Sequence, residues 1–111
     1  MDKLTHYRQL IQDFLLQRGN QNLSYGNVET EVAFDKERDH YQIIHVGWDG
    51  NQFVYGCVIH IDIKHNKIWI QWNSTEDDIA ADLVNLGIPK EDIVLGLHHP
   101  DVRKFTDYAV A

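Results

Sequence analysis

The stretch His60–Ile79, HIDIKHNKIWIQWNSTEDDI, constrains this fold more than any other. Two alternating apolar segments meet at His65-Asn66, where only a tight hairpin turn fits. Asn66 suits the positive φ that such a turn needs. Closing the hairpin there sets Ile63 opposite Ile68, Ile61 opposite Ile70 and Ile59 opposite Trp72. Side chains alternate along a strand, so all six share one face. The other face carries His60, Asp62 and Lys64 against Gln71, Trp69 and Lys67. A slip of one residue would set isoleucines against polar groups, so burial selects this register.

Around this hairpin the chain reads as one α+β domain over residues 1–111. Residues 2–18 have the spacing of an amphipathic helix, with Leu4, Tyr7, Ile11, Phe14, Leu15 and Arg18 on one side. Gly19 and Asn20 end it, and GNQNLSYGN is a polar connector. Val28, Thr30, Val32 and Phe34 alternate with Glu29, Glu31, Ala33 and Asp35, giving a half-buried strand with an acidic outer face. The next strand, about 41–48, is apolar on both faces. Tyr41 and Ile43 lie on one; Ile44, Val46 and Trp48 lie on the other. After Asp49-Gly50-Asn51, the strand at about 53–64 places Phe53, Tyr55, Cys57, Ile59, Ile61 and Ile63 on a single face. Short connections make these strands and strand 67–73 a four-stranded antiparallel meander. A second helix is expected at about 76–86, capped by Thr75 or its neighbour Ser74 and stopped at Gly87-Ile88. A short C-terminal strand follows at Ile93–Leu97, ended by His99-Pro100.

Composition narrows the function. Hydrophobic residues make up 43% of the chain and charged residues 24%, as in a globular protein. The single cysteine, Cys57, has no intrachain partner, and no apolar run approaches the ~20 residues of a membrane span. Together with the lack of a signal-peptide core, this points to the cytoplasm. A net charge of −7 with scattered basic residues disfavours direct DNA binding, which needs clustered Lys and Arg.

His60 and Asp62 point the same way from one strand, and His45, His98 and His99 are candidates to join them in holding a metal ion. No HExxH or paired-cysteine motif accompanies them. The simpler reading is a polar sheet face, with no metal and no cofactor. In strict alternation Cys57 and His60 project to opposite faces, so Cys57 reads as a buried structural thiol rather than a nucleophile. Glu76, Asp77 and Asp78 are explained by the helix dipole. Trp72 reads as core, whereas Trp69 reads as an interface residue. Arg103 reads as a surface ion-pair partner of Asp101.

The segments FDKERDHYQIIHVGWDG, VIHIDIKHNKIWIQWNSTEDDIAADLV and GIPKEDIVLGLHHPDVRKFTDYAVA together resemble the XisI family, the fdxN element excision controlling factors of cyanobacteria. The resemblance covers nearly the whole chain. It implies a non-enzymatic accessory role in site-specific excision of a DNA element during heterocyst differentiation, beside a recombinase and an XisH-like companion protein. The expected partner surface is His60, Asp62, Trp69, His98, His99 and Arg103. Apolar residues on both sheet faces add the expectation of a homodimer or larger assembly. The alternative is a small metal-binding protein or hydrolytic enzyme built on the His/Asp cluster.

Overall fold

The structure, a computed structural model, describes residues 2–20 and 27–111. The polar connector expected around 19–27 falls mostly outside the described residues. The elements run α1 (Lys3–Asn20), β1 (Asn27–Asp35), β2 (His40–Asp49), β3 (Gln52–Lys64), β4 (Lys67–Asn73), α2 (Ile79–Asn85), β5 (Ile93–Leu95) and α3 (Pro100–Arg103). A 3-10 turn at Lys90–Asp92 leads into β5.

The strands form one sheet in the order β1-β2-β3-β4-β5. The first four make the expected antiparallel meander, but β5 lies parallel to β4. The sheet is therefore five-stranded and mixed, not a purely antiparallel four-stranded one. The segment between β4 and β5 contains α2, and is long enough for the crossover that parallel pairing requires.

The central hairpin closes as its sequence demands. His65 (φ 54°) and Asn66 (φ 64°) both take the left-handed conformation of a type I′ turn. Ile63 pairs with Ile68 and Ile61 with Ile70. Beyond Ile61 the register shifts, because Gln71 is an extra residue in β4. Ile59 consequently meets Asn73, while Trp72 lies opposite His60. The expected core position of Trp72 is thus corrected: the residue is half exposed.

A second shift, between Ile43 and Ile44, inserts Val58 as an extra residue in β3. Tyr41 and Ile43 pair with Ile61 and Ile59, whereas Ile44, Val46 and Trp48 pair with Cys57, Tyr55 and Phe53. The apolar face expected to run unbroken from Phe53 to Ile63 is divided at this bulge. Its Ile59–Ile63 part faces the core, with Val58 packed against it, and its Phe53–Cys57 part faces the other way. The two apolar faces of β2 have the same origin. Phe34 and Val32 lie beside Tyr41 and Ile43, on the core side.

Both longer helices cover that core face. Tyr7, Ile11, Phe14 and Leu15 of α1 and Ile79 and Leu83 of α2 share one buried cluster with the sheet isoleucines. Each fully buried isoleucine contributes roughly 1.5–3 kcal/mol. Helix α2 starts later than expected. Thr75 donates its hydroxyl to Asn73 Oδ1, and Asp78 caps the helix by accepting from the Ala81 N–H at 3.0 Å. It ends in a Schellman motif. Gly87 has φ 106°, Gly87 N–H donates to Val84 O and Ile88 N–H donates to Leu83 O. Ile88 is thereby buried.

Two carboxylates tie α1 down. Arg8 donates from Nε to Asp39 Oδ1 at 2.8 Å and from Nη2 to Oδ2 at 3.1 Å. The Tyr41 hydroxyl also donates to Asp39 Oδ1, and the Ile63 N–H donates to the Asp39 main-chain carbonyl. Asp92 accepts from the Tyr7 hydroxyl and pairs with Lys3 at 3.0 Å. Burial pushes both carboxyls up. Hydrogen bonds from Arg8 and Tyr41, and from Tyr7 and Lys3, outweigh it and hold both below the ordinary 3.8. Their stabilisation is therefore complete at neutral pH. It begins to fall as the unfolded carboxyls protonate near 3.8, and is lost below the folded values. Urea midpoints measured from pH 7 to pH 2 should drop through this acid range. The drop should be shallower in Asp39→Asn, because that variant has one linked carboxyl fewer.

Candidate functional site

The face of the sheet turned away from α1 and α2 carries the candidate site. The bulge at Val58 sets His40 of β2 directly opposite Asp62 of β3, and Gln42 opposite His60. His40 Nδ1 and His60 Nε2 each lie 2.8 Å from Asp62 Oδ1. Gln71, the extra residue of β4, donates from Nε2 to Asp62 Oδ2 at 3.1 Å. The Gln42 amide sits 3.3 Å from His60 Nδ1. Asp62 is buried, His60 partly so, and the His40 side chain is half exposed. Burial raises the Asp62 carboxyl. The bonds from His40, His60 and Gln71 outweigh that effect and hold it below its ordinary value. The arrangement anchors a carboxylate under two imidazoles, one of them open to solvent.

The other expected site residues are placed differently. Trp69 is only 8% exposed, so the structure corrects its reading as a surface anchor. Its indole Nε1–H donates to Lys64 O at 3.2 Å, and the Lys64 ammonium and Arg103 guanidinium lie over its ring at 4.0 and 5.2 Å. Arg103 is buried too, and is not the surface partner of Asp101. Its Nε donates to Leu95 O and His98 O, and its Nη2 to Gly96 O at 3.4 Å. It organises the turn after β5. Gly96 permits the close approach, since a Cβ there would stand 2.2 Å from Gln71 Oε1. Ala109 then pairs beside Val94, so the C-terminal segment lies along β5.

His98 and His99 do not join the cluster. His98 lines a pocket of about 270 Å³ with Ile70, Ile79 and Tyr108, and His99 caps α3 by accepting from the Asp101 N–H at 3.1 Å. His45 pairs with Thr30 and Gly56, on the core side of β2. Among the described residues, the one metal-compatible group is His40, His60 and Asp62. His40 was not singled out in the sequence, because strict alternation from the Asp49–Asn51 turn sets it out of phase with Asp62. The double apolar pattern of β2 is the trace of the bulge that brings them into phase.

Beside the cluster the same face is apolar and open. Ile44, Val46 and Cys57 are partly exposed, and Trp48, Phe53 and Tyr55 are 53%, 51% and 73% exposed. Trp48 and Phe53 meet edge to face, with centroids 5.1 Å apart.

A helix-backed mixed sheet with one partly open face and a His/Asp cluster defines a small α+β protein of the kind that presents a sheet surface. Comparison with known proteins identifies the particular group: the XisI protein family matches residues 1–110, and the chain belongs to that family. It is 46% identical to a XisI-like protein from Anabaena variabilis, with a TM-score of 0.93 over 97% of this chain and 99% of that one. It is 38% identical to the fdxN element excision controlling factor XisI from Anabaena variabilis, with a TM-score of 0.85 over 99% and 100% of the two chains. No curated protein matches the sequence. No helix among the described residues is long and apolar enough to cross a membrane.

Arg103→Ala should destabilise the protein by about 1–3 kcal/mol, because three carbonyls lose a buried donor. Arg103→Lys should recover only part of this loss, since an ammonium cannot reproduce the planar fork. Urea unfolding of both variants, followed by Trp fluorescence, checks the order.

Proposed function

We propose that this chain is a non-catalytic controlling factor for excision of a DNA element, acting through protein contacts. The observation that carries this reading is its similarity, end to end, to the protein described as an fdxN element excision controlling factor. A net charge of −7 fits a role on proteins more readily than one on phosphates. The open aromatic face supplies a contact surface, since exposed aromatics in an apolar patch are the usual material of interface hot spots.

This assigns the expected partner surface a different centre. His60 and Asp62 remain at its margin, while Trp48, Phe53, Tyr55 and Trp72 replace the buried Trp69 and Arg103 as anchors. Glu29 and Glu31 border the patch opposite Val46 and Ile44. An acidic rim favours a partner with an apolar centre and basic surroundings. An XisH-like companion, working with a recombinase in heterocysts, is the proposed occupant. A homodimer through this face would oppose the glutamates of two copies.

The double variant Trp48→Ala/Phe53→Ala should keep its circular dichroism spectrum, because both rings are half exposed. It should bind the companion at least about 30-fold more weakly, as expected for loss of a 2 kcal/mol hot spot. Undiminished co-purification would remove this surface from the reading. Light scattering that shows the variant dissociating a wild-type dimer would make the face a self-interface. In a gel shift at physiological salt, the isolated protein should leave duplex DNA unshifted; a salt-sensitive shift would overturn the protein-contact mechanism.

A further inference from the structure

We infer that His40, His60 and Asp62 form a binding site for a divalent first-row transition metal such as Zn²⁺. The inference goes beyond excision control and stands independently of it. Its basis is geometric. The two imidazole nitrogens each sit 2.8 Å from the same carboxylate oxygen, and all three donor atoms lie within 4.8 Å of one another. An ion bonded tetrahedrally at about 2.0–2.2 Å to nitrogen and oxygen requires donors about 3.3–3.6 Å apart. To become a chelate, each nitrogen moves out from Oδ1 by about half an ångström and the two nitrogens, within 4.8 Å of each other, draw together by up to about 1.5 Å, which side-chain rotation supplies.

The scaffold is rigid where it matters. His60 and Asp62 are two apart on β3, and His40 is the cross-strand neighbour of Asp62. All three thus project from one antiparallel pair. The surrounding amides orient the ligands. Gln71 occupies Asp62 Oδ2 and leaves Oδ1 to face the imidazoles. Gln42 lies against His60 Nδ1. The amide nitrogen of Gln42 is the atom that faces Nδ1; turning the amide over on metal binding sets its oxygen there, where it accepts the Nδ1 proton and frees Nε2 as a ligand. Such outer partners fix the tautomer in known metal sites.

The donor set also selects the ion. Two imidazoles and one carboxylate suit Zn²⁺, Co²⁺ or Ni²⁺, whereas Mg²⁺ and Ca²⁺ require oxygen-rich sites. The exposed side of His40 leaves coordination positions for water or for a ligand from a partner. The competing arrangement is a carboxylate that merely bonds two histidines and needs no ion.

Titration calorimetry of the untagged full chain with Zn²⁺ alone separates the two. The expected result is one ion per chain at micromolar affinity, a rise in melting temperature with Zn²⁺, and no response to Mg²⁺. Co²⁺ should give visible d–d absorption. His40→Ala, at an exposed position, should keep the fold by circular dichroism, weaken Zn²⁺ binding at least about tenfold and abolish the thermal shift. His98→Ala/His99→Ala should leave binding unchanged. Absence of Zn²⁺ binding below millimolar concentration, or binding undiminished by His40→Ala and by His60→Ala, would overturn the site.

Discussion

Two inserted residues, Val58 in β3 and Gln71 in β4, decide which side of the sheet the surrounding side chains occupy. A strand alternates strictly, so one extra residue reverses the facing of everything beyond it. The first insertion lets Tyr41 and Ile43 join the isoleucine core while Ile44, Val46 and Trp48 turn outward. The second turns Trp72 out beside His60 and brings the Gln71 amide to Asp62. Without these irregularities the His/Asp cluster and the aromatic patch would not share a face.

The open face is itself divided. Its β4–β5 end is closed by the chain's own C-terminal segment, where Arg103 satisfies three carbonyls and stacks on Trp69. A guanidinium suits this place because it offers five fixed donors and a flat surface for an aromatic ring. The β2–β3 end has no such cover, and its aromatic rings reach solvent. Asp62 lies between the two regions, linked to the covered end by Gln71 and to the open end through His40 and His60.

Periodicity made the regular parts of this fold legible. The stripe of α1, the His65-Asn66 turn, the glycine stop at Gly87 and the order of the first four strands all follow from spacing and turn chemistry. What escaped depended on tertiary competition. Thr75 is a good N-cap in isolation, but Asn73 engages its hydroxyl and Asp78 takes the role. Trp69 and Trp72 exchange their expected environments, because the bulge and the covering tail lie outside any strand pattern. Two of the three cluster residues were visible, since His60 and Asp62 are two apart on one strand. His40 was hidden because its phase depends on Val58. The doubly apolar β2 held that information, but local alternation alone does not distinguish a face switch from a strand buried on both sides.

The parallel placement of β5 makes the last pairing of the sheet a non-local one. The β2–β3 and β3–β4 hairpins join neighbours across tight turns, whereas Ile68 must find Ile93 across the intervening crossover. Closing the larger loop carries the greater entropic penalty, so the β4–β5 pairing is the costliest of the three to close. The tail can align with Val94 only once β5 is seated. Arg103 reaches the Trp69 indole only where that distant pairing sets β5 beside β4, so the shielding of Trp69 rests on contacts far apart in the sequence.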